Sequence, residues 1–147
     1  MKSYDDKADR FVPKLGASKS HEEQIIVELK DCGFSFWQLK SLEVRHLVDF
    51  LESNEHILAA VYGYNTGNDR CIIVGTNMRI VYMDYVPMFR SVDEMSYANI
   101  QGVTYVTNVL RSTVTLHTSH RDLTLRWVRS GMARRFIDYI EMKSVEV

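Results

Sequence analysis

Long apolar runs and groups of cysteine are both missing from this sequence. No apolar stretch approaches the ~18 residues needed to span a bilayer, so no membrane-spanning helix is predicted. The first residues, MKSYDDKADRF, carry acidic side chains where a secretory signal would be apolar, and we therefore expect a cytoplasmic protein. The only two cysteines, Cys32 and Cys71, fall near the end of a predicted helix and inside a predicted strand. That context favours two buried thiols over a disulfide framework.

An excess of charge of either sign is also missing. The 18 Lys and Arg residues nearly balance the 19 Asp and Glu residues, which leaves a formal net charge of -1. A balanced chain has little general attraction for phosphate backbones unless its charges are segregated, and no strong segregation is visible along the sequence. We therefore expect no nucleic-acid partner. With 147 residues, 46% of them hydrophobic and 25% charged, the composition is that of one globular domain.

Residues that could catalyse a reaction or hold a metal do not form a recognisable group. His117 and His120 straddle a predicted strand end and a hairpin tip, where their spacing does not bring both imidazoles to one metal. Asp93 and Glu94 are interpreted as part of a solvated loop, with no third carboxylate or Gly-rich loop beside them. A nucleophile would need a positioned base, and Cys71 in an apolar strand is expected to be inert. The sequence predicts neither an enzyme nor a cofactor.

The first third of the chain predicts an arm followed by two helices. Residues 1–19 show no sustained periodicity and are predicted to form a mobile or draped arm. Ser20 followed by Glu23 has the pattern of a capping box, and apolar residues at helical spacing then predict a helix that stops at Gly33.

A second capping pattern, Ser35 with Gln38, predicts another helix that ends near Ser53. Between the two helices lie three aromatic residues, which are Phe34, Phe36 and Trp37. They form a candidate interaction surface if they are exposed, or a hydrophobic plug under the helix junction if they are buried. The plug is the preferred interpretation, because clustered aromatic residues usually contribute buried area.

From Ile57 onward the spacing of apolar residues changes from the helical period to the two-residue alternation of β-strands. Two apolar runs within residues 69–85 are joined by a turn and predict a central β-hairpin. Alternating runs on both sides extend the pattern to seven sequential antiparallel strands, at residues 57–64, 70–76, 79–85, 88–92, 100–107, 112–118 and 121–128. In the seventh strand, the alternation predicts that Leu123, Leu125 and Trp127 point inward.

The last element is an amphipathic helix, Gly131 to Met142. Its apolar stripe is wide enough to pack on a sheet, while arginine and acidic residues take the solvent side. One closing helix after seven short strands is typical of a sheet with an opening or edge that the helix covers.

These elements occur in the order of a known family. Residues 43–63, EVRHLVDFLESNEHILAAVYG, resemble the lead-in helix and first strand of bacterial pleckstrin-homology-like (PH-like) domains. VGTNMRIVYMD, YANIQGV, STVTLHT and RRFIDYIE are similar to that family's hairpin, fifth strand, sixth strand and closing helix. The resemblance implies an α+β, mainly β fold, which is a PH-like seven-stranded bent antiparallel sheet or barrel capped by a C-terminal helix. It divides the chain into residues 1–54, the arm and two helices packed on or beside the barrel, and residues 55–147, the PH-like domain.

The resemblance also implies a non-catalytic binding or scaffolding module. We expect it to act through protein–protein interaction, including self-association as a homo-oligomer. The alternative is a peripheral module that binds anionic membrane lipid through the sheet or through residues 34–37.

The first hairpin is where PH domains that bind phosphoinositides carry Lys and Arg residues. Here that hairpin is GYNTGNDR, residues 63–70, with a single cation, so we expect lipid binding to be weak. The candidate ligand contacts are Asn65, Asn68, Arg70 and Arg79. Arg79 is interpreted mainly as an orienting residue, whose guanidinium ties loop backbone or Asp84.

Overall fold

The computed structural model describes residues 13–86 and 89–146. Their helices are α1 (Pro13–Asp31), α2 (Phe36–Leu39), α3 (Leu42–Phe50) and α4 (Ser130–Glu146). Their strands are β1 (Ile57–Tyr64), β2 (Arg70–Thr76), β3 (Ile80–Val86), β4 (Phe89–Met95), β5 (Ile100–Thr107), β6 (Arg111–Thr118) and β7 (Asp122–Arg129). Within this part of the chain, no helix is both long and apolar enough to cross a membrane.

The seven strands form one antiparallel sheet in the order β4-β3-β2-β1-β7-β6-β5. β1 pairs with β2 along most of its length but meets β7 only where Tyr64 lies opposite Arg126. This narrow junction lets the sheet bend into a four-stranded half and a three-stranded half. The predicted seven-stranded bent antiparallel sheet is therefore confirmed.

Helix α4 closes the space between the two halves of the sheet. It begins directly after β7, and its apolar stripe is almost fully buried, with Met132, Ala133, Phe136, Ile137 and Ile140 in the core. These residues recur at the three- and four-residue spacing that places them on one face of a helix. The predicted closing helix is confirmed and extends beyond its predicted end at Met142.

A buried ion pair ties the segment after α3 to the turn between β2 and β3. The Glu55 side chain is fully buried and accepts two hydrogen bonds from Arg79, from Nε and Nη2, each 2.8 Å long. Thr76 Oγ1 donates a third bond to Glu55 at 2.7 Å. On its outer side Arg79 pairs with Glu94 at 2.9 Å. Burial alone would raise the pKa of Glu55, but the bonds from Arg79 and Thr76 and from the Glu52 N–H outweigh it, so this pKa is lowered.

Helix α1 begins earlier than the sequence pattern predicts. It starts at Pro13, so that Ser20 lies inside it and the expected capping box does not begin the helix. The preceding residues, Lys14 to Lys19, include no strong helix breaker other than Gly16, and one glycine is tolerated inside a helix. The predicted arm was therefore wrong from Pro13 onward, and residues 1–12 lie outside the described residues.

The predicted second helix is divided into α2 and α3. The capping box at Ser35 and Gln38 is present, as the sequence predicts. Helix α2 nevertheless ends after one turn, and Ser41 begins α3 by accepting a hydrogen bond from the Val44 N–H at 3.3 Å. The break arises because Ser41 is itself a good N-cap residue, a signal that the apolar spacing alone does not reveal.

Strand β4 is longer than predicted and includes two acidic residues that were interpreted as a solvated loop. Asp93 and Glu94 lie within β4, opposite Tyr82 and Val81 of β3. Each also has a basic partner, because Arg121 binds Asp93 and Arg79 binds Glu94. These cross-strand contacts, which come from distant parts of the chain, explain why polar residues continue the strand. Pro87 and Met88 lie outside the described residues.

The predicted inward orientation of Trp127 was wrong. Leu123 and Leu125 are buried as predicted, but the Trp127 side chain is 62% exposed and Val128 takes the next core position. Trp127 has a left-handed backbone, φ 64°, and the register between β6 and β7 shifts at this point. This is a β-bulge, in which one extra residue reverses the inward and outward alternation of the strand.

Both cysteines carry free thiols. Cys71 is fully buried in β2, and burial raises its pKa to about 12. Cys32 is partly buried, which raises its pKa to about 11. Such protonated thiols are weak nucleophiles.

Candidate functional site

Arginine and tryptophan side chains line two adjoining depressions on the surface where β1 meets β7. One depression lies between α2, the end of β1 and β7, and the other lies beside the hairpin that joins β5 to β6. Both depressions include Arg111 and Trp127. We call this surface the arginine–tryptophan groove; its charged and aromatic lining is Trp37, Tyr62, Tyr64, Arg70, Arg111, Arg126, Trp127 and Arg129. Asp and Glu are absent from the described lining.

The β7 bulge presents Trp127 to this groove. Arg126 and Trp127 together lie opposite the single residue Thr113 of β6, because Ser112 pairs with Val128 and Val114 pairs with Leu125. A left-handed conformation costs a non-glycine residue roughly 1–2 kcal/mol. Strained backbone of this kind is common at functional sites, so the bulge and the exposed ring together mark Trp127 as a candidate binding residue.

Of the three aromatic residues between α1 and α3, one is buried, as expected for a hydrophobic plug, and two are exposed, as expected for an interaction surface. Phe34 is buried and packs edge to face on Tyr62, with ring centroids 5.7 Å apart. Phe36 and Trp37 are 61% and 78% exposed, so the preferred interpretation as a plug was wrong for them. The Ser35 capping box fixes the single turn of α2 that carries both residues. Their role as an interaction surface remains a prediction.

Among the groove arginines, Arg70 has a buried counterion. Its Nη2 lies 3.5 Å from Oε1 of Glu43, a fully buried carboxylate on α3. Tyr62 donates a 2.7 Å hydrogen bond to Glu43 Oε2. Burial, together with this bond to a carboxylate, raises the pKa of Tyr62. Glu43 therefore compensates the charge of Arg70 from below the groove.

The other three groove arginines have no carboxylate partner within the described ranges. Arg126 donates hydrogen bonds to the backbone oxygen of Asn65 and to the side chain of Asn68. Arg111 and Arg129 are exposed and lie opposite each other across β6 and β7. The groove thus carries a local positive charge on a chain whose formal net charge is -1. The expectation that charges are not strongly segregated was wrong at this surface.

Comparison with protein families identifies the fold. A family model described as the bacterial PH domain matches residues 51–142, more than half of the chain. The chain belongs to the bacterial PH domain family. A solved structure similar to this PH domain is that of a DUF1696 family protein with a pleckstrin-homology domain from Shewanella loihica PV-4. The two chains are 17% identical, with a TM-score of 0.41 over 69% of this chain and 87% of that chain. None of the curated proteins matches the sequence.

Family membership confirms the resemblance to bacterial PH-like domains seen in the sequence. PH domains are binding modules that in general do not catalyse reactions. In the described residues of this PH domain, no cluster of His, Cys, Asp or Glu could hold a metal ion.

The first hairpin of this PH domain borders a separate depression with an acidic lining. Asp69, Asp84 and Asp122 contribute to it, while its one arginine, Arg121, is paired with Asp93. This charge is unfavourable for a phosphorylated headgroup. Weak lipid binding at this hairpin remains a prediction.

The four candidate contacts predicted for the first hairpin do not converge on one point. Asn65 Oδ1 accepts the N–H groups of Gly67 and Asp69 within the hairpin itself. Asn68 binds Arg126, and Arg70 lines the arginine–tryptophan groove. Asn65, Asn68 and Arg70 as ligand contacts remain predictions.

Arg79 lies past the opposite end of β2 from Arg70. The interpretation that it ties Asp84 was wrong, because its partners are Glu55 and Glu94. Asp84 instead accepts hydrogen bonds from the Tyr82 hydroxyl and the Ser91 N–H. The orienting role fits the observed contacts, since the guanidinium fixes the turn after β2 through Glu55.

Sequence reasoning missed four groove residues, which are Arg111, Arg126, Trp127 and Arg129. A local signal for the bulge was present in the β7 sequence DLTLRWVR, where Trp127 and Val128 are adjacent. A regular strand cannot point both of these apolar residues inward, so one of them must be exposed or the strand must bulge. No comparable signal indicated that Arg70 and Arg111 would share a surface.

The bulge predicts an unusual difference between two variants. We expect Trp127→Gly to have a free energy of unfolding about 1 kcal/mol higher than Trp127→Ala, because both remove the ring but only glycine adopts φ 64° without strain. Urea denaturation of both variants measures this difference. At Thr124, a regular position of the same strand, the order of the Gly and Ala variants should reverse. Equal stabilities for the two Trp127 variants would show that the bulge carries no strain.

Proposed function

We propose that this PH domain is a non-catalytic module that binds protein partners, including a second copy of itself, through the arginine–tryptophan groove and the neighbouring β5–β6 hairpin. The main support is a concentration of exposed large apolar side chains on this surface. They are Trp37, Val106, Val109, Leu110 and Trp127, each more than 60% exposed. Grouped exposed apolar residues mark interaction sites, whereas isolated ones are normal on any surface.

The composition of the surface also supports a protein partner. Trp and Arg are enriched among the residues that contribute most to protein–protein binding. The groove combines both, with Trp37 and Trp127 in contact with the same depression as Arg111 and Arg129. A single-turn helix and a β-bulge define the backbone that carries the two rings, so little backbone freedom would be lost on binding.

The terminal strand of the sheet, β5, lies beside the groove. β5 pairs with β6 on one side and ends the described sheet on the other. Its last four residues, 104–107, are all exposed. Unpaired strand edges recognise other polypeptides through backbone hydrogen bonds, which suits either a partner segment or a second copy.

The mass of the whole chain in solution tests self-association. By size-exclusion chromatography with light scattering, we expect a concentration-dependent oligomer, and we expect Val109→Ser/Leu110→Ser to shift it toward the monomer because the exposed apolar contact is lost. The control is Val27→Ser, which removes an exposed valine from α1. A monomer at every concentration would rule out self-association, and an oligomer unaffected by the double substitution would place its interface elsewhere.

Binding to anionic membrane is a second candidate, favoured by one observation. The tip of the β5–β6 hairpin exposes Val109 and Leu110 directly before Arg111, an apolar and basic combination that suits an anionic lipid surface. Sedimentation with phosphatidylserine vesicles tests it. Co-sedimentation that weakens with salt and is lost in Val109→Ser/Leu110→Ser would favour the membrane over a protein partner.

A further inference from the structure

The charge arrangement in the arginine–tryptophan groove indicates what kind of ligand the groove accepts. We propose that the ligand is an extended peptide segment of a partner protein, rich in Asp and Glu residues and carrying apolar or aromatic side chains between them. This inference rests on the proposed function and specifies the chemistry of the partner.

A pair of like charges in the groove is the first reason. Arg111 and Arg129 lie directly opposite each other across β6 and β7, so both guanidinium groups extend from the same face of the sheet. Like charges in this position destabilise a sheet. A carboxylate bound between them would remove the repulsion and could accept paired hydrogen bonds from either guanidinium.

The second reason is the balance of charge around this pair. Glu43 compensates Arg70, whereas Arg111, Arg126 and Arg129 have no carboxylate partner in the described part of the chain. Arg126 Nε is buried there without a hydrogen-bond acceptor. The groove therefore brings together three arginines that have no carboxylate partner, and this local positive charge complements an acidic ligand.

The third reason distinguishes a peptide from other polyanions. Val106 belongs both to the groove lining and to the edge strand β5. An extended peptide can place backbone N–H and C=O groups against such an edge and direct alternate side chains toward the groove. A phosphate headgroup or a nucleic-acid backbone has no matching amides. The exposed rings of Trp37 and Trp127 supply apolar surface for the uncharged residues of the same peptide.

Selection from a random peptide library displayed on phage, against the immobilised full chain, tests the proposal. We expect the selected peptides to be enriched in Asp and Glu and to contain aromatic or aliphatic residues. A synthetic, fluorescently labelled copy of a selected peptide is then titrated by fluorescence polarisation. Replacing its Asp and Glu residues by Asn and Gln should weaken binding at least ~10-fold, because hydrogen bonds between charged groups are stronger than those between neutral groups.

Matched variants of the protein locate the peptide. Arg111→Gln/Arg129→Gln should weaken binding by about 100-fold, which corresponds to ~10-fold for each arginine. The control, Arg45→Gln/Arg134→Gln, removes the same charge from exposed positions on α3 and α4 and should leave the affinity unchanged. Circular dichroism and the melting temperature of each variant show whether it is folded, and Arg111→Lys/Arg129→Lys tests the need for the guanidinium at constant charge.

Each other outcome overturns a defined part of the proposal. Apolar peptides whose binding is lost in Trp127→Ala but unchanged in Arg111→Gln/Arg129→Gln would keep the groove as a protein-binding site and reject an acidic ligand. Failure to select any peptide would reject the peptide ligand, while the solution mass still tests self-association separately. Stronger binding of oligodeoxythymidine or phosphatidylserine vesicles, lost in Arg111→Gln/Arg129→Gln, would assign the groove to a phosphate polyanion instead.

Discussion

Replacing Arg79 by Ala is expected to lower the free energy of unfolding by about 3–5 kcal/mol, because it leaves a buried carboxylate without its counterion. The Glu55 side chain is fully buried, and two of its hydrogen bonds come from Arg79. Without the guanidinium, Glu55 must either remain charged in the core or take up a proton. Chemical denaturation of the wild type and of Arg79→Ala, followed by circular dichroism, measures the loss.

The outer partner of Arg79 is the matched control. Glu94 binds the same guanidinium at 2.9 Å but is 57% exposed. Exposed ion pairs contribute about 0–1 kcal/mol, so Glu94→Gln should have a much smaller effect than Arg79→Ala. Similar losses for the two variants would show that burial of Glu55 does not determine the strength of this contact.

The pH dependence of stability offers a second measurement on the same pair. Since the pKa of Glu55 is lowered in the folded state from its ordinary value of 4.5, its contribution is present above that value and is lost as the pH falls through the lower, folded-state pKa. Arg79→Ala should lose less stability than the wild type over this acidic range. Parallel profiles of stability against pH for the wild type and Arg79→Ala would contradict the conclusion that the Glu55–Arg79 pair causes this loss of stability in acid.

Leu29→Ala in helix α1 is expected to lower the free energy of unfolding by about 2–5 kcal/mol, because it opens a cavity in a shared core. Leu29 is fully buried and belongs to the same hydrophobic cluster as Ile72 of β2 and Phe136 of α4. Val27 lies on the exposed side of α1, so Val27→Ala should change stability by less than ~0.5 kcal/mol. Urea denaturation of both variants provides the comparison.

The same variants test the predicted division between residues 1–54 and 55–147. In a Trp37→Phe background, tryptophan fluorescence reports on Trp127 in the sheet alone. We expect Leu29→Ala to shift this signal and the helical circular dichroism together, because one core joins the helices to the sheet. A sheet transition unaffected by Leu29→Ala would instead support residues 55–147 as an independent folding unit.

The sequence alone determined most of the secondary structure and the order of its elements. The sixth strand shows why: Val114 and Leu116 are buried while the neighbouring Thr113 and Thr115 are only partly buried, as alternation predicts. In the last helix, Met132 and Phe136 recur at helical spacing and are buried. These periods follow from backbone geometry, which is local, so neighbouring residues suffice to predict them.

The sequence predictions were wrong where contacts between distant residues overrode the local pattern of caps or of apolar alternation. Ser20 matches a helix cap but lies inside α1. Asp93 continues strand β4, and Arg121, 28 positions later in the turn before β7, binds it. Trp127 continues the alternation of β7 in the sequence, but the bulge against β6 turns it outward. Local propensities are weak compared with packing and ion pairing, so the tertiary contacts prevailed.

The sequence by itself determined a bent seven-stranded sheet closed by a helix, a balanced overall charge, and the order of motifs that places the chain among bacterial PH domains. Only the tertiary structure decided which arginines share a surface. Arg70, Arg111 and Arg129 lie far apart in the sequence and reach one groove because β1 meets β7 and β6 pairs beside it. Charge on a surface depends on which strands are neighbours, and pairing between distant strands leaves no periodic trace in the sequence.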